Sequence, residues 1–226
     1  MSVLSYPSVF ALPSLIWNMP PDRMSNPDAT SPSDASSDEE SVRLMLRVKD
    51  GDTEAFERLV NLHQRSVIGT VTRMLNNVDD AHDVSQQVFI RVWRSAARYE
   101  PSAKFTTWLF TIMRNLVFNE LRRRGRKREV SVEEQAEEHH QHLTAPARDI
   151  PDSVTQQGEL EKAIDKAIQS LPEKQRLAVS LRRYEDMPYE EICEILGMSL
   201  SAVKSLLFRA RNDLKEKLSA YLDEGD

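Results

Sequence analysis

The chain is 226 residues long, with 40% hydrophobic and 29% charged residues and a formal net charge of -6. That is enough for one or two small globular domains and excludes a large multidomain enzyme. The single cysteine, Cys193, excludes an intramolecular disulfide and a cysteine-rich zinc site and fits a reducing compartment, so a cytoplasmic location is expected.

The opening MSVLSYPSVFALPSLIWNMPP lacks a basic n-region, is broken by Pro7 and Pro13, and is too short to span a bilayer, so no membrane insertion is expected. It reads as an extension, or as a start assigned too early, with Met19 or Met24 as the true one. The following NPDATSPSDASSDEE is rich in Ser, Pro and Asp and offers almost nothing to bury, so residues 1–40 are expected to be disordered.

Order is expected from Ser41 onward. Val42, Met45, Leu46 and Val48 predict a short helix that stops at Asp50-Gly51, where Asp52 or Thr53 is placed to cap the next one. That helix carries Phe56, Leu59, Val60, Val67, Val71 and Leu75 at helical spacing and ends in the NNVDD turn. A third helix, from about Asp80 to Arg98, has Val84, Val88 or Phe89, Val92, Trp93 and Ala96 on its apolar side. Pro101 imposes a loop over Glu100 to Lys104, after which Phe105, Trp108, Leu109, Ile112 and Leu116 start a fourth helix. It leads into RRRGRKR, in which six of the seven positions from Arg122 to Arg128 are basic although the whole chain is acidic. Such a run is a solvated face or one half of an interface whose other half is negative.

Residues 129–153 contain acidic residues, Pro146 and Pro151 and no sustained period, which predicts a flexible acidic linker. His139, His140 and His142 lie in this polar segment without other soft ligands nearby, so they read as solvated and no metal is expected. The carboxylates of Asp79, Asp80 and Asp83 sit at a helix start, where they favour the backbone dipole and need no metal either. A nuclease reading therefore has no catalytic cluster behind it, and no phosphate-cradling glycine loop is present.

The second ordered block, residues 154–222 with a short tail at 223–226, is again helical, with Pro172 at a helix start. In PYEEICEILGMSLSAVKSLLFRAR, residues Tyr189, Ile192, Cys193 and Leu196 share a face, Gly197 supplies a left-handed turn, and Ser199 caps a helix whose inner face is Leu200, Val203, Leu207, Ala210 and Leu214. That is a helix-turn-helix. Ser201, Lys204, Ser205, Phe208, Arg209 and Asn212 project from its second helix, giving the short polar residues and cations that a major groove accepts. Cys193 fills a small-residue slot where the helices cross and has no base to activate it.

The stretch DDAHDVSQQVFIRVWRSAARYEPSAKFTTWLFTIMRNLVFNELRRR resembles region 2 of the extracytoplasmic-function group of sigma factors in the sigma-70 superfamily. LPEKQRLAVSLRRYEDMPYEEICEILGMSLSAVKSLLFRARNDL resembles their region 4. The resemblance implies an all-α protein with no cofactor and no catalytic residues: region 2 over residues 41–128, and a region 4 helix-turn-helix over 154–222. It implies binding to core RNA polymerase and to promoter DNA, and control by an anti-sigma factor. On the polymerase, the clamp helices of the largest subunit would meet Asp83, Gln86, Gln87 and Ile90, and the flap is a further contact.

By the same resemblance, Tyr99, Lys104, Arg114, Asn115, Asn119, Arg122 and Arg123 would hold the melted minus-10 element, with Arg124, Arg126, Lys127 and Arg128 gripping the phosphate backbone beside it, and Ser201, Lys204, Ser205, Arg209 and Arg211 the minus-35 duplex. Opening a duplex requires that unstacked bases be captured, which a loop can do and a smooth helix face cannot. Two positions depart from the family. Gln87 stands where an acidic residue is frequent, and Leu206 where arginine is usual, leaving minus-35 contact to lean on Lys204 and Arg209 or Leu206 to serve a protein partner. Leu206, Leu207 and Phe208 form an apolar trio suited to an anti-sigma factor. A helix-turn-helix regulator that binds duplex DNA without joining polymerase is the alternative reading, since it needs only the second motif.

Overall fold

The computed structural model describes residues 32–135 and 156–219, and these are helical, with no strand among them. In chain order the helices are α1 (Pro32–Lys49), α2 (Thr53–Leu75), α3 (Val78–Ser95), a 3-10 turn (Ala96–Arg98), α4 (Phe105–Gln135), α5 (Gln156–Gln169), α6 (Glu173–Tyr184), α7 (Tyr189–Leu196) and α8 (Leu200–Lys217). Helices α1 to α4 form the first domain and α5 to α8 the second.

Local chemistry sets most of the boundaries. Gly51 takes φ +90° in the turn after α1, and Asp52 caps α2 by accepting from the Ala55 N–H at 2.9 Å. Asn76 closes that helix in the left-handed conformation, and Asn77 caps α3 by accepting from the Asp80 N–H at 3.1 Å. Each such cap contributes about 1 kcal/mol. Asp79 and Asp80 sit in the first turn of α3, the dipole-favoured position expected for them.

Three boundaries differ from the sequence expectation. Helix α1 begins at Pro32 rather than Ser41, and tertiary contacts that apolar spacing does not register hold it from Asp38 onward. Asp38 accepts from the Phe105 N–H at 3.0 Å at the start of α4, and Ser41 Oγ lies 2.9 Å from His63 Nε2. Helix α4 continues past Arg128 to Gln135, since no helix breaker intervenes. Helix α3 ends at Ser95, and the 3-10 turn carries the chain to Arg98. Most of the expected linker, together with His139, His140 and His142, lies outside the described residues.

The core of the first domain is filled by Met45, Leu59, Val67, Val71, Met74, Val88, Val92, Phe105, Leu109 and Met113, all fully buried. Tyr99 is also buried, its ring centroid 5.0 Å from that of Trp108 and 6.2 Å from that of Phe105. This edge-to-face cluster anchors both ends of the 99–104 loop. The same apolar cluster continues without a break into Leu177, Leu181, Met187, Ile192 and Leu196 of the second domain. Helix α6 packs on α2, and α7 packs on α4.

The interface is polar as well. Glu185, at the end of α6, accepts hydrogen bonds from Ser66 and from Thr70 Oγ1 (2.9 Å), with Arg73 3.8 Å away. The Arg73 guanidinium lies 3.6 Å from the Tyr184 ring centre, a cation–π contact. Gln169 and Arg176 donate to the carbonyls of Arg73 and Met74 at the end of α2, at 2.6 and 2.8 Å. The second domain therefore helps cap a helix of the first.

His63 gives this core a pH dependence. Buried beside Ser41 and the Phe105 ring, it has its pKa pushed down from 6.5 to about 4, because burial disfavours the imidazolium. Above pH 6.5 both the folded and the unfolded chain hold it neutral. As pH falls from 6.5 towards 4, the unfolded chain takes up a proton that the fold refuses, so stability is lost by up to about 1.4 kcal/mol per pH unit. Below the folded value the loss from this group is complete. Urea titrations of His63→Gln should show a shallower decline than the parent across that window, whatever its stability at neutral pH; equal slopes would exclude His63 as the source.

Candidate nucleic-acid interface

The helix-turn-helix is built as the sequence implies. Gly197 adopts φ +63°, and its N–H reaches the carbonyls of Cys193 and Glu194, ending α7 where a side chain with a Cβ would be strained. Ser199 caps α8 by accepting from the Ala202 N–H at 3.3 Å. Ile192, Leu196, Val203, Leu207, Ala210 and Leu214 are buried, leaving Ser201, Ser205, Phe208, Arg209 and Asn212 exposed on the opposite side of α8. Lys204 and Arg211 are half-buried at the margins of that face. Burial raises the Cys193 thiol pKa, with Glu190 adding to the effect, so the thiol is not activated.

Two residues of α8 differ from expectation. Leu206 is buried with 5% exposure in the main core cluster, so it is a packing residue and is not available to a partner. Leu200, assigned to the inner face, is 37% exposed at the first position of the helix. The inner stripe thus runs through 203, 206, 207, 210 and 214, the width of a helix buried between neighbours. Of the apolar trio, only Phe208 is exposed, at 61%.

In the first domain, Asp83, Gln86, Gln87 and Ile90 are all exposed, and their spacing aligns them along one face of α3. Beside them an open, mostly apolar groove of about 700 Å³ runs between α2 and α3, lined by Phe56, Val60, Gln86, Phe89, Ile90 and Trp93. Ile90 is 49% exposed and Trp93 37%, with Phe56 and Trp93 in an edge-on contact at 5.0 Å. Sequence periodicity places Trp93 in the core; the structure uses it as a groove wall.

The residues assigned to unpaired DNA are not equivalent. Asn115, Asn119, Arg122 and Arg123 are exposed on α4, and Arg114 is half-buried. Tyr99 is a correction: with 1% exposure its ring supports the loop from inside and does not face outward. Burial, with Asp38 nearby, pushes its phenol pKa up to about 12. Lys104 sits at the mouth of α4 with its ammonium 2.7 Å from Glu191 of α7.

The basic block is likewise divided. Arg124 turns inward, donating to the Leu75 carbonyl (2.9 Å), Asp80 (2.6 Å) and Glu120 (3.0 Å). Arg123 forks onto Glu120 with two bonds of 2.7 Å, and hydrogen bonding from Arg123, then Arg124, holds the Glu120 carboxyl below its usual range. Arg122 donates to Asn119 at 2.6 Å, and Arg126 is exposed. The side chains of Lys127 and Arg128 lie outside the described ones. Sequence reasoning missed Glu120, Glu185 and Glu191 as partners. For Glu120 the i+3 and i+4 arginines were a readable signal; the other two act across the domain interface.

The first domain thus presents an exposed α3 face and a basic helix, and the second a helix-turn-helix. Residues 59–127 match the Sigma-70 region 2 family, and residues 161–214 match Sigma-70, region 4. The RNA polymerase sigma-H factor of Pseudomonas aeruginosa is 32% identical over 188 residues, spanning 82% of this chain and 97% of the relative. The ECF RNA polymerase sigma-E factor of Haemophilus influenzae is 34% identical over 181 residues, spanning 79% and 95%. The structure of the sigma factor RpoE in complex with the anti-sigma factor NepR from Bartonella quintana shares the fold, with a TM-score of 0.56 at 24% identity over 74% of this chain and 98% of that one. The chain belongs to the extracytoplasmic-function group of the sigma-70 family, as an RNA polymerase sigma factor that directs transcription initiation.

The division within the basic block has a measurable consequence. Arg124→Ala removes the donor to the Leu75 carbonyl and the partner of Asp80, and should cost about 1–2 kcal/mol in chemical denaturation. Arg126→Ala, on an exposed position, should stay within about 0.5 kcal/mol of the parent. Equal effects would mean that Arg124 does not anchor the turn.

Proposed function

We propose that this sigma factor joins core polymerase through the α3 stripe and its groove, captures the unpaired minus-10 strand with the 99–104 loop and the outer face of α4, and reads the minus-35 duplex with α8. The observation that carries the reading is the separation of faces on α8: Ser201, Ser205 and Arg209 are exposed while Val203, Leu207 and Ala210 are buried. A helix so mounted presents short polar residues near its N-terminus and cations further along, the order that a major groove accepts. Lys204 and Arg211 flank that face within reach of backbone phosphates.

On the polymerase side, Asp83, Gln86, Gln87 and Ile90 offer polar contacts beside an apolar slot formed with Phe56 and Trp93, a shape suited to the clamp helices of the largest subunit. The flap is the proposed site for the second domain. Asn115 and Asn119 are placed to hydrogen-bond bases, and Arg114, Arg122 and Arg123 to grip phosphate, with Arg123 exchanging Glu120 for DNA. Tyr99 contributes by holding the loop in place. An anti-sigma factor is the proposed inhibitor, covering the α3 groove and the exposed Phe208. No described helix is long and apolar enough to cross a membrane, and work at polymerase puts the protein in the cytoplasm.

Initiation reconstituted from core polymerase and this protein, on promoters of its own genome, tests the assignment. Asn115→Ala should reduce permanganate reactivity of promoter thymines more than it reduces core binding; equal melting would remove Asn115 from the site. On a promoter library, Lys204→Ala or Arg209→Ala should cost roughly 1–3 kcal/mol at the minus-35 element and relax preference there. Arg123→Ala should instead weaken all promoters alike and lower the salt slope by about one. A shift in sequence preference with Arg123→Ala, or none with Lys204→Ala, would show that the two surfaces have been misassigned.

A further inference from the structure

The opening stretch of the chain has no part in the surfaces assigned above. Residues 1–21, outside the described residues, hold no charged side chain in a chain that is 29% charged, and carry Val9, Phe10, Leu12, Leu15, Ile16 and Trp17 close together. So apolar a stretch gains free energy by being covered. Pro7, Pro13, Pro20 and Pro21 bar one continuous helix, which leaves main-chain N–H and C=O groups available to a neighbouring surface.

The groove between α2 and α3 has the matching character. Phe56 and Val60 wall it from α2 and Ile90 and Trp93 from α3, and the polar residues along it include the uncharged Gln64 and Gln86. Ser85 also lines it, 3% exposed, and its Oγ has no hydrogen-bond partner. A helix packed there would bring interior backbone groups that are already bonded, whereas a segment interrupted by proline brings free ones that can meet this hydroxyl. The chain also arrives at the right place. Arg47 pairs with Asp52, Glu40 with Arg58 and Ser41 with His63, so α1 runs antiparallel to α2 and the residues before Pro32 enter beside the half of α2 that carries Gln64 and Ile68 of the groove. The ten residues 22–31 reach about 33–36 Å when extended. That is about the length of the 23-residue α2 at ~1.5 Å per residue.

We propose that residues 1–21 dock in the α2–α3 groove of their own chain, seating apolar side chains against Ile90 and Trp93 and a main-chain group on Ser85 Oγ, and that they compete there with core polymerase. The competition rests on the reading of the groove as a polymerase contact; the docking does not. A segment tethered this closely meets its site at an effective concentration of order mM, so contacts too weak to hold a separate peptide fill the groove for most of the time. The same weakness leaves it displaceable by a partner that also engages the exposed Asp83 and Gln87 beside the groove. A chain started at Met24 lacks the segment, so its groove stands open to polymerase without competition.

The test uses the full chain with the photocrosslinker p-benzoylphenylalanine in place of Phe10 or Trp17, the crosslinks being mapped by mass spectrometry. Crosslinks within one chain to α2 and α3 along the groove are expected. Ile90→Glu, at an exposed position, should abolish them, and Ser85→Ala, which removes a hydroxyl without a partner in the fold, should lower their yield several-fold. Crosslinks to Phe208 or scattered over the surface, crosslinks only between chains, or none at all overturn the docking, and an unchanged yield with Ser85→Ala overturns the seating on that hydroxyl. Core-polymerase affinity is then read with Leu12→Asp and Leu15→Asp together, which leave the groove itself intact. Affinity should rise about tenfold, as when the open fraction goes from about a tenth towards one. Groove crosslinks in the parent with no gain in polymerase affinity for the double variant uphold the docking and overturn the competition, tracing the failure to the reading of the groove as a polymerase contact.

Discussion

The last turn of α2 imposes the constraint on which the arrangement of this molecule depends. A helix end leaves its final carbonyls without intrahelical partners, and leaving them buried and unmet is costly. Here the Thr72 carbonyl is met by the Asn76 N–H, that of Arg73 by Gln169, that of Met74 by Arg176 and that of Leu75 by Arg124. One donor comes from the turn, one from the basic helix α4 and two from the second domain. A single helix terminus thereby orients α4 within the first domain and the second domain against the first.

The same economy explains how an acidic protein carries a basic block without scattering its charge. Arg124 is committed to structure and Arg123 is held by Glu120, so the cations that face outward are presented from a rigid helix. Under the proposed function, such pre-set geometry would lower the entropy lost when a phosphate is gripped. In the second domain the division is by helix face: the cations of α8 sit on or beside the exposed side, above a continuous apolar stripe that includes Leu206.

Between these surfaces lies a loop whose reach is set from beneath. Tyr99, Phe105 and Trp108 interlock their rings, Lys49 donates to the Tyr99 carbonyl at 3.0 Å, and Asp38 caps the start of α4. Residues 100–103 are exposed above this base. Under the proposed function this loop captures unstacked bases, and to do so it would have to hold its shape before they arrive; buried aromatic packing provides that without using outward-facing groups.

Helix periods, the Asp50-Gly51 break, the Pro101 loop and the Gly197–Ser199 turn were all legible in the sequence, because each depends on residues within a few positions of one another. So was the outward face of α8, since a helix that buries 203, 207, 210 and 214 must expose 201, 205, 208 and 212. The early start of α1, the burial of Tyr99, the inward turn of Arg124 and the groove position of Trp93 were not legible, since each is settled by a contact with another helix. Furthest from view were Glu185 and Glu191, which look like ordinary solvated carboxylates until the second domain is laid on the first. Local spacing determines which face of a helix is apolar; what that face meets, and which charges are neutralised there, is decided only when the helices pack.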